Sequence, residues 1–238
     1  MLSGSEAHHL ARVRRIGAGE TVTLFDGAGT RACGRVLNIG PQSVEIEVET
    51  LETLPARRQG RIVIAASIAK GERFEWLISK CTELGVDRIY PVWFERTVKK
   101  TNPEKAVLRY EKLALAAAKQ SGRLFLPQID NPSPLPAVAD RLKADHRHAY
   151  WLLGSLSPQA PSLANRTPSE SDVLVFVGPE GGMTQAEEEL LNRCGARAVR
   201  LTDTILRVET AAITFAALLT AQRQAQERIS FDLTDEPH

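Results

Sequence analysis

From Thr21 to Thr50 apolar and polar residues alternate with period two, interrupted by turns. The runs are Thr21-Val22-Thr23-Leu24-Phe25, a stretch around Arg35-Val36-Leu37-Asn38-Ile39, and Ser43-Val44-Glu45-Ile46-Glu47-Val48-Glu49. Asp26-Gly27-Ala28-Gly29 and Gly40-Pro41 separate them. Short alternating segments joined by Gly and Pro turns predict a small β-barrel or sandwich. The polar stretch Leu54-Pro55-Ala56-Arg57-Arg58-Gln59-Gly60 is a linker.

Beyond the linker the pattern changes. Arg61-Ile62-Val63-Ile64-Ala65-Ala66-Ser67-Ile68 is almost continuously apolar, as a strand covered on both faces must be. Phe74, Leu77, Ile78, Cys81 and Leu84 recur at helical spacing, and Gly85 supplies a left-handed stop. Further strands are predicted at Arg88 to Trp93, Ala149 to Gly154, Asp172 to Val177 and Ala198 to Thr202. Helices fit between them, including Glu104 to Ser121, with a last helix from about Glu209 to Glu227. Pro127 to Pro136 and Ser155 to Ser171 look like long loops, the second just after a strand end, where ligand loops of α/β folds gather. The fold class is α/β with a small N-terminal β-barrel: a β domain over residues 1–57, then an α/β domain over residues 60–238.

Composition narrows the class. The 238 residues are 43% apolar and 25% charged, ordinary for a soluble globular protein. No stretch reaches the length of a membrane span, and Met1-Leu2-Ser3-Gly4-Ser5-Glu6 lacks the basic-then-apolar plan of a secretory signal. A cytoplasmic address and no membrane partner are therefore expected. Cys33, Cys81 and Cys194 are far apart and odd in number, which writes neither a disulfide framework nor a Cys-x-x-Cys metal pair. Buried free thiols and no metal are expected. A net charge of +1 gives no general affinity for nucleic acid, so such a partner needs a local basic patch. His8, His9, Arg12, Arg14 and Arg15 form one candidate, although the cluster by itself reads first as a solvated helix face.

The sharpest local feature is Val177-Gly178-Pro179-Glu180-Gly181-Gly182-Met183-Thr184, which follows a buried strand and opens a helix. Thr184 and Glu187 form a capping-box pair. Pro179 fixes one torsion, while Gly178, Gly181 and Gly182 permit positive φ and close approach of a ligand to the main chain. A tight strand-to-helix connection is the purely structural alternative. Gly-x-Gly-x-x-Gly and Walker A patterns are absent, which weakens nicotinamide and nucleoside-triphosphate chemistry. At Leu201 to Ala211 a second strand end meets a helix entry, and Arg207 and Glu209 stand where a cation and a carboxylate can both face a ligand. An ion pair and a first-turn carboxylate favoured by the helix dipole are the alternative there. Lys70-Gly71-Glu72-Arg73-Phe74-Glu75-Trp76-Leu77 with Lys80 and Glu83 reads as a hinge and a helix with a wet face, and Ala117 to Arg123 as a polar helix end.

Taken together these segments resemble the RsmE family of 16S rRNA uracil-N3 methyltransferases, in the SPOUT superfamily of trefoil-knotted enzymes. The matching residues are His8-His9-Leu10 with Arg12, Val13 and Arg15, Leu24-Phe25-Asp26-Gly27, Lys70-Gly71-Glu72-Arg73, Lys80-Cys81-Thr82-Glu83-Leu84-Gly85-Val86 and Glu95-Arg96. They continue through Gln120-Ser121-Gly122-Arg123, Gly178-Pro179-Glu180-Gly181-Gly182 and Ile205-Leu206-Arg207 with Glu209-Thr210-Ala211, spanning nearly the whole chain in order. The resemblance implies a PUA-like RNA-binding domain followed by a SPOUT-type α/β methyltransferase domain with a C-terminal knot, an exception to the rule against threading. It also implies S-adenosylmethionine as cofactor, a homodimer, and 16S rRNA in the small ribosomal subunit as partner. By position the cofactor surface is Leu153, Gly154, Gly178, Pro179, Glu180, Gly181, Gly182, Leu201, Thr202, Ile205 and Leu206.

Three departures stand out. The short strand that usually precedes the His-His segment is not written in the pattern, and a truncated or misassigned start is expected. Lys119 stands where the family usually has glutamate, and Thr202-Asp203-Thr204 replaces the usual Gly-x-Arg. Chemically, uracil N3 carries a proton at neutral pH, so the site must remove it or stabilise the resulting anion. Arg207 is the candidate for stabilising charge on a uracil oxygen, and Glu209 for orienting it or relaying the proton. His9, Arg12, Arg15, Lys70 and Arg96 are candidates for RNA contacts. Two other classes compete: a non-catalytic RNA-binding or ribosome-assembly factor, favoured only by the Thr202 to Thr204 change, and an α/β enzyme binding another nucleotide at the Gly178 loop.

Overall fold

The computed structural model describes residues 1–13, 15–98, 102–163 and 171–234. It divides into two compact units, Met1–Ala56 and Arg57–His238.

The first unit holds strand β1 (Leu2–Ser3), helix α1 (Gly4–His8), a π-helical turn His9–Val13, and strands β2 (Thr21–Phe25), β3 (Thr30–Ile39) and β4 (Ser43–Thr53). The strands form an antiparallel sheet in the order β1-β4-β3-β2. Among the described residues β2 does not pair with β1, so this is an open sheet and not a closed barrel. The period-two pattern sends Val22, Val36 and Val44 to one face, where they pack with Ala7 of α1. Asp26 closes the β2–β3 turn, its Oδ1 accepting from the amides of Ala28 (2.7 Å) and Thr30 (2.9 Å). Those amide donors hold its carboxyl below the usual carboxylate range. The strand that the sequence seemed to lack is present: Leu2 and Ser3 pair with Val44 and Ser43. Two residues carry no periodicity, so only the partner strand reveals it.

The second unit contains β5 (Ile62–Ser67), α2 (Arg73–Glu83), β6 (Arg88–Trp93), α3 (Pro103–Ser121), β7 (Gln128–Ile129), β8 (Ser133–Pro134) and α4 (Leu135–Asp145). It continues with β9 (Tyr150–Gly154), β10 (Val173–Val177), α5 (Gln185–Arg193), β11 (Arg197–Val199) and α6 (Val208–Thr234). The sheet runs β11-β9-β10-β5-β6-β7, with β8 also on β6, and every pairing is parallel. Alternation along the central strands builds two cores. Ile62, Ile64, Ala66, Val173, Val175 and Val177 meet α2, α3 and α6 on one face. Val63, Ala65, Leu174 and Phe176 meet α4 and α5 on the other.

Polar latches close the opposite end of the sheet from the strand C-termini. Asp172 accepts from the Arg61 backbone amide (2.9 Å) and from Arg61 Nη2 and His146 Nδ1 (2.7 Å each). Burial pushes its carboxyl up, but the hydrogen bonds from His146 and Arg61 outweigh that and hold it well below the usual range. Arg123, after α3, donates to the carbonyls of Thr82 and Val86 at 2.7 Å each. Burial lowers its pKa to about 10. The polar end of α3 is thus a brace between helices, with Gly122 as its left-handed cap (φ 73°).

Several boundaries differ from the sequence expectation. Pro127 to Pro136 is not one long loop: it contains β7 and β8, and α4 begins at Leu135. Strands of two residues are too short to show a period. β11 ends at Val199 and not at Thr202, because Arg200 turns to the loop after β9, bonding Pro161 and Leu163 and bridging Ser162. α6 extends past Glu227 to Thr234. Of the cysteines only Cys81 is buried, where desolvation pushes its thiol up to about 12, while Cys33 and Cys194 are half-buried. No helix among the described residues is long and apolar enough to cross a membrane.

Candidate functional site

At the C-terminal ends of β9 and β10 lies a cavity of about 490 Å³. In an open parallel sheet this is where loops diverge and ligands bind. Of the residues assigned to the cofactor surface, Leu153, Gly154, Gly178, Pro179, Glu180, Gly182, Leu201, Thr202, Ile205 and Leu206 line it. Gly181 does not line it. Val177, Leu153 and Phe215 give it apolar walls, and Ser155, Ser157, Thr202, Thr204, Glu188 and Asn192 add polar groups, a combination suited to a small ligand with an apolar body and polar ends.

The glycine loop is held by specific contacts. Gly182 has φ 75° and its amide donates to the Pro179 carbonyl at 2.9 Å, which makes the tight turn. Gly178 and Gly181 do not use positive φ, contrary to the expectation for all three glycines. Gly178 is needed for space instead, since a Cβ there would lie 2.8 Å from Met183 Cε. Thr184 and Glu187 form the anticipated capping box at the start of α5. Glu187 does more: while Oε2 accepts from the Thr184 amide (2.8 Å), Oε1 accepts from the Glu95 amide (2.7 Å). Arg96 Nη1 in turn donates to the Gly181 carbonyl at 2.7 Å. The loop after β6 is therefore tied to the loop after β10 at two points.

The segment Thr202 to Thr204 satisfies itself. Thr202 Oγ1 donates to the Thr204 carbonyl at 2.8 Å and accepts from its amide at 3.2 Å, and Asp203 pairs with Arg200 at 2.8 Å. It is a small hydroxyl-closed turn.

Arg207 and Glu209 part company. Arg207 is exposed and lines the 490 Å³ cavity. Glu209 is 7% exposed, its Oε2 has no hydrogen-bond partner among the described residues, and it lines a second, more open cavity of about 910 Å³ with Lys70, Arg73 and Trp76. Arg207 precedes α6 whereas Glu209 lies in its first turn, and the two side chains line different cavities. Among the described residues neither forms the ion pair that the structural alternative requires.

The basic candidates also separate. Arg12 and Arg15 are exposed in the first unit, Arg15 with φ 52°. The side chain of His9 and all of Arg14 lie outside the described residues. Lys70 is exposed beside the second cavity, whereas Arg96 is bonded to Gly181. Sequence reasoning missed Ser155, Ser157, Met183 and Phe215 in the cavity wall. Arg207, Ala211 and Phe215 follow at intervals of four, the one signal that places Phe215 there. Among the described residues no group of three or more His, Cys, Asp or Glu is placed to hold a metal ion.

Known proteins resemble this chain over most of its length. Residues 56–220 match the family model described as RNA methyltransferase domain, and residues 2–49 the one described as RNA methyltransferase PUA domain. The ribosomal RNA small subunit methyltransferase E of Mycobacterium bovis is 30% identical, over 89% of this chain and 82% of the relative. That of Bacillus subtilis is 28% identical, over 88% and 85%. Among solved structures, the Neisseria gonorrhoeae ribosomal RNA small subunit methyltransferase E bound to S-adenosyl methionine superposes with TM-score 0.83, at 28% identity over 93% of this chain and 90% of that one. A probable rRNA-methyltransferase of Porphyromonas gingivalis gives 0.81 at 27% identity, over 93% and 92%.

Proposed function

This chain belongs to the RNA methyltransferase family of ribosomal RNA small subunit methyltransferase E, and on that premise we propose that it methylates N3 of a uridine in 16S rRNA. It is an S-adenosylmethionine-dependent rRNA methyltransferase. The relatives are named for catalysis, which leaves the non-catalytic assembly factor without support.

One observation carries the assignment of the site: the 490 Å³ cavity gathers ten of the residues placed on the cofactor surface, with Arg207 beside them. The group fits, because the cavity size lies in the range of small-molecule sites and Gly178 and Gly154 leave its walls without side chains. When bound, S-adenosylmethionine supplies an electrophilic methyl group on a sulfonium. The protein's own part is to align a nucleophile with it, which lowers the barrier without metal or covalent intermediate. Arg207, which lines the same cavity, offers a guanidinium to the negative charge that develops on a uracil oxygen, favouring loss of the N3 proton to solvent. N3 lies on the Watson–Crick edge, so the base must be unpaired or flipped out before it reacts. Glu209 faces the other cavity and acts on the RNA side. Arg12 and Arg15, with His9, serve phosphate contacts from the PUA-type unit over residues 1–57, and Lys70 from the methyltransferase unit over residues 60–238.

The same reading includes a homodimer, a cytoplasmic address and a C-terminal knot. The backbone bonds of Arg200 with Pro161 and Leu163 lay the loop after β9 alongside the segment leading to α6. The test is transfer of a labelled methyl group from S-adenosylmethionine to small ribosomal subunits from a strain lacking this protein, with the product nucleoside identified by mass spectrometry. A 3-methyluridine product is expected, and any other methylated nucleoside would overturn the N3 assignment.

A further inference from the structure

The second cavity is unlike a wet helix face. Its wall includes Glu209, at 7% exposure and with Oε2 unpaired. A buried carboxylate oxygen without a donor costs stability, so a group that retains it needs a donor from elsewhere. The same wall carries Trp76, 57% exposed although it is a large aromatic. Lys80 Nζ sits 4.7 Å from the Trp76 ring centroid, covering one face of the indole. Glu75 is neutralised by Arg109 at 2.7 Å, while among the described residues Lys70 has no ion pair. Arg73 lines this cavity, and its Nη1 lies 3.3 Å from Glu180 Oε1, a residue of the other cavity's wall. The two cavities are thus adjacent, joined through Arg73 and separated by the first turn of α6.

We propose that this cavity is a subsite for one unpaired guanine nucleotide flanking the methylated uridine, stacked on Trp76 and held by Glu209. The inference rests on the RNA methyltransferase reading and deepens it. An indole face accepts any base by stacking, and Lys70 supplies positive charge for a phosphate, Arg73 being paired with Glu180. Choice among bases falls to Glu209, whose carboxylate oxygens accept hydrogen bonds. The Watson–Crick edge of guanine offers two adjacent donors, N1–H and the N2 amino group. Adenine offers one donor, the N6 amino group, beside an acceptor at N1 that repels the second carboxylate oxygen.

The test follows the indole N–H resonance of Trp76, identified by its loss in W76F, while full-length protein is titrated with the single-stranded pentamers UUGUU and UUAUU. The guanine pentamer is expected to shift the resonance to saturation, with affinity about tenfold or more above that of the adenine pentamer. E209Q, nearly isosteric, should bring the two close to parity, since a glutamine amide can pair with adenine. W76A should weaken both. No shift with either pentamer, or equal affinities in the wild type, would overturn the subsite. So would a W76A protein that sediments as a smaller species, which would mean that a second copy covers the indole. Methyl transfer to small subunits is measured in parallel: transfer without a guanine-selective shift removes the subsite alone, whereas no transfer removes the reading beneath it.

Discussion

Arg96 donates from Nη1 to the Gly181 carbonyl at 2.7 Å, so a residue that sequence reasoning assigned to RNA stands as a strut under the glycine loop. A hydrogen bond from a charged donor contributes about 1.5–3 kcal/mol, less for an exposed one. R96A should therefore weaken S-adenosylmethionine binding by about tenfold, measured by titration calorimetry. Unchanged cofactor affinity with salt-dependent loss of RNA binding would return Arg96 to the RNA-contact set.

Glu187 serves two masters, the capping box of α5 and the Glu95 amide. E187A should lower stability by about 1–2 kcal/mol in urea denaturation and also raise the cofactor Kd. Glutamine preserves capping geometry, so E187Q should keep most of the stability. Equal losses in both variants would show that the charge, and not the cap, matters.

Arg207 is exposed beside the cofactor cavity and is placed to act on developing charge. R207A should reduce kcat by about 10²–10³, while cofactor affinity stays within about threefold. Single-turnover methyl transfer with a separate binding titration distinguishes the two. An unaltered rate would remove Arg207 from the chemistry.

Asp172 has a carboxyl held below its ordinary range in the folded state, where hydrogen bonds from His146 and Arg61 overcome burial. Its contribution is complete above the unfolded value of about 3.9 and is lost as pH falls toward the lower folded value. Chemical denaturation between pH 7 and pH 3 should show wild-type stability dropping at the acid end. D172N should be less stable at neutral pH and lose less on acidification. A parallel pair of curves would exclude this latch as the source of acid sensitivity.

Much of this was legible in the chain. The six-residue apolar run of β5 and the helical spacing from Phe74 to Leu84 fixed neighbouring elements, because the periods of strand and helix depend on local geometry alone. The capping box at Thr184 and Glu187 was equally local. β1, β7 and β8 were not legible, since two residues gain strand form only from the partner they pair with. Positive φ was read into Gly178 and Gly181, where one of them instead avoids Met183.

The site divides in the same way. Sequence placed most of the cofactor surface, because strand ends and glycine turns are written next to one another in the chain. It could not tell that Arg96 supports Gly181 across 85 residues, or that Glu187 reaches Glu95. Nor could it tell that Arg207 and Glu209, two positions apart, face different cavities. Those facts depend on strand order and on the rotation at which α6 docks, which buries Phe215 and Ala212 in the core. Local pattern determines which elements form; only packing among distant elements decides which side chains share a cavity.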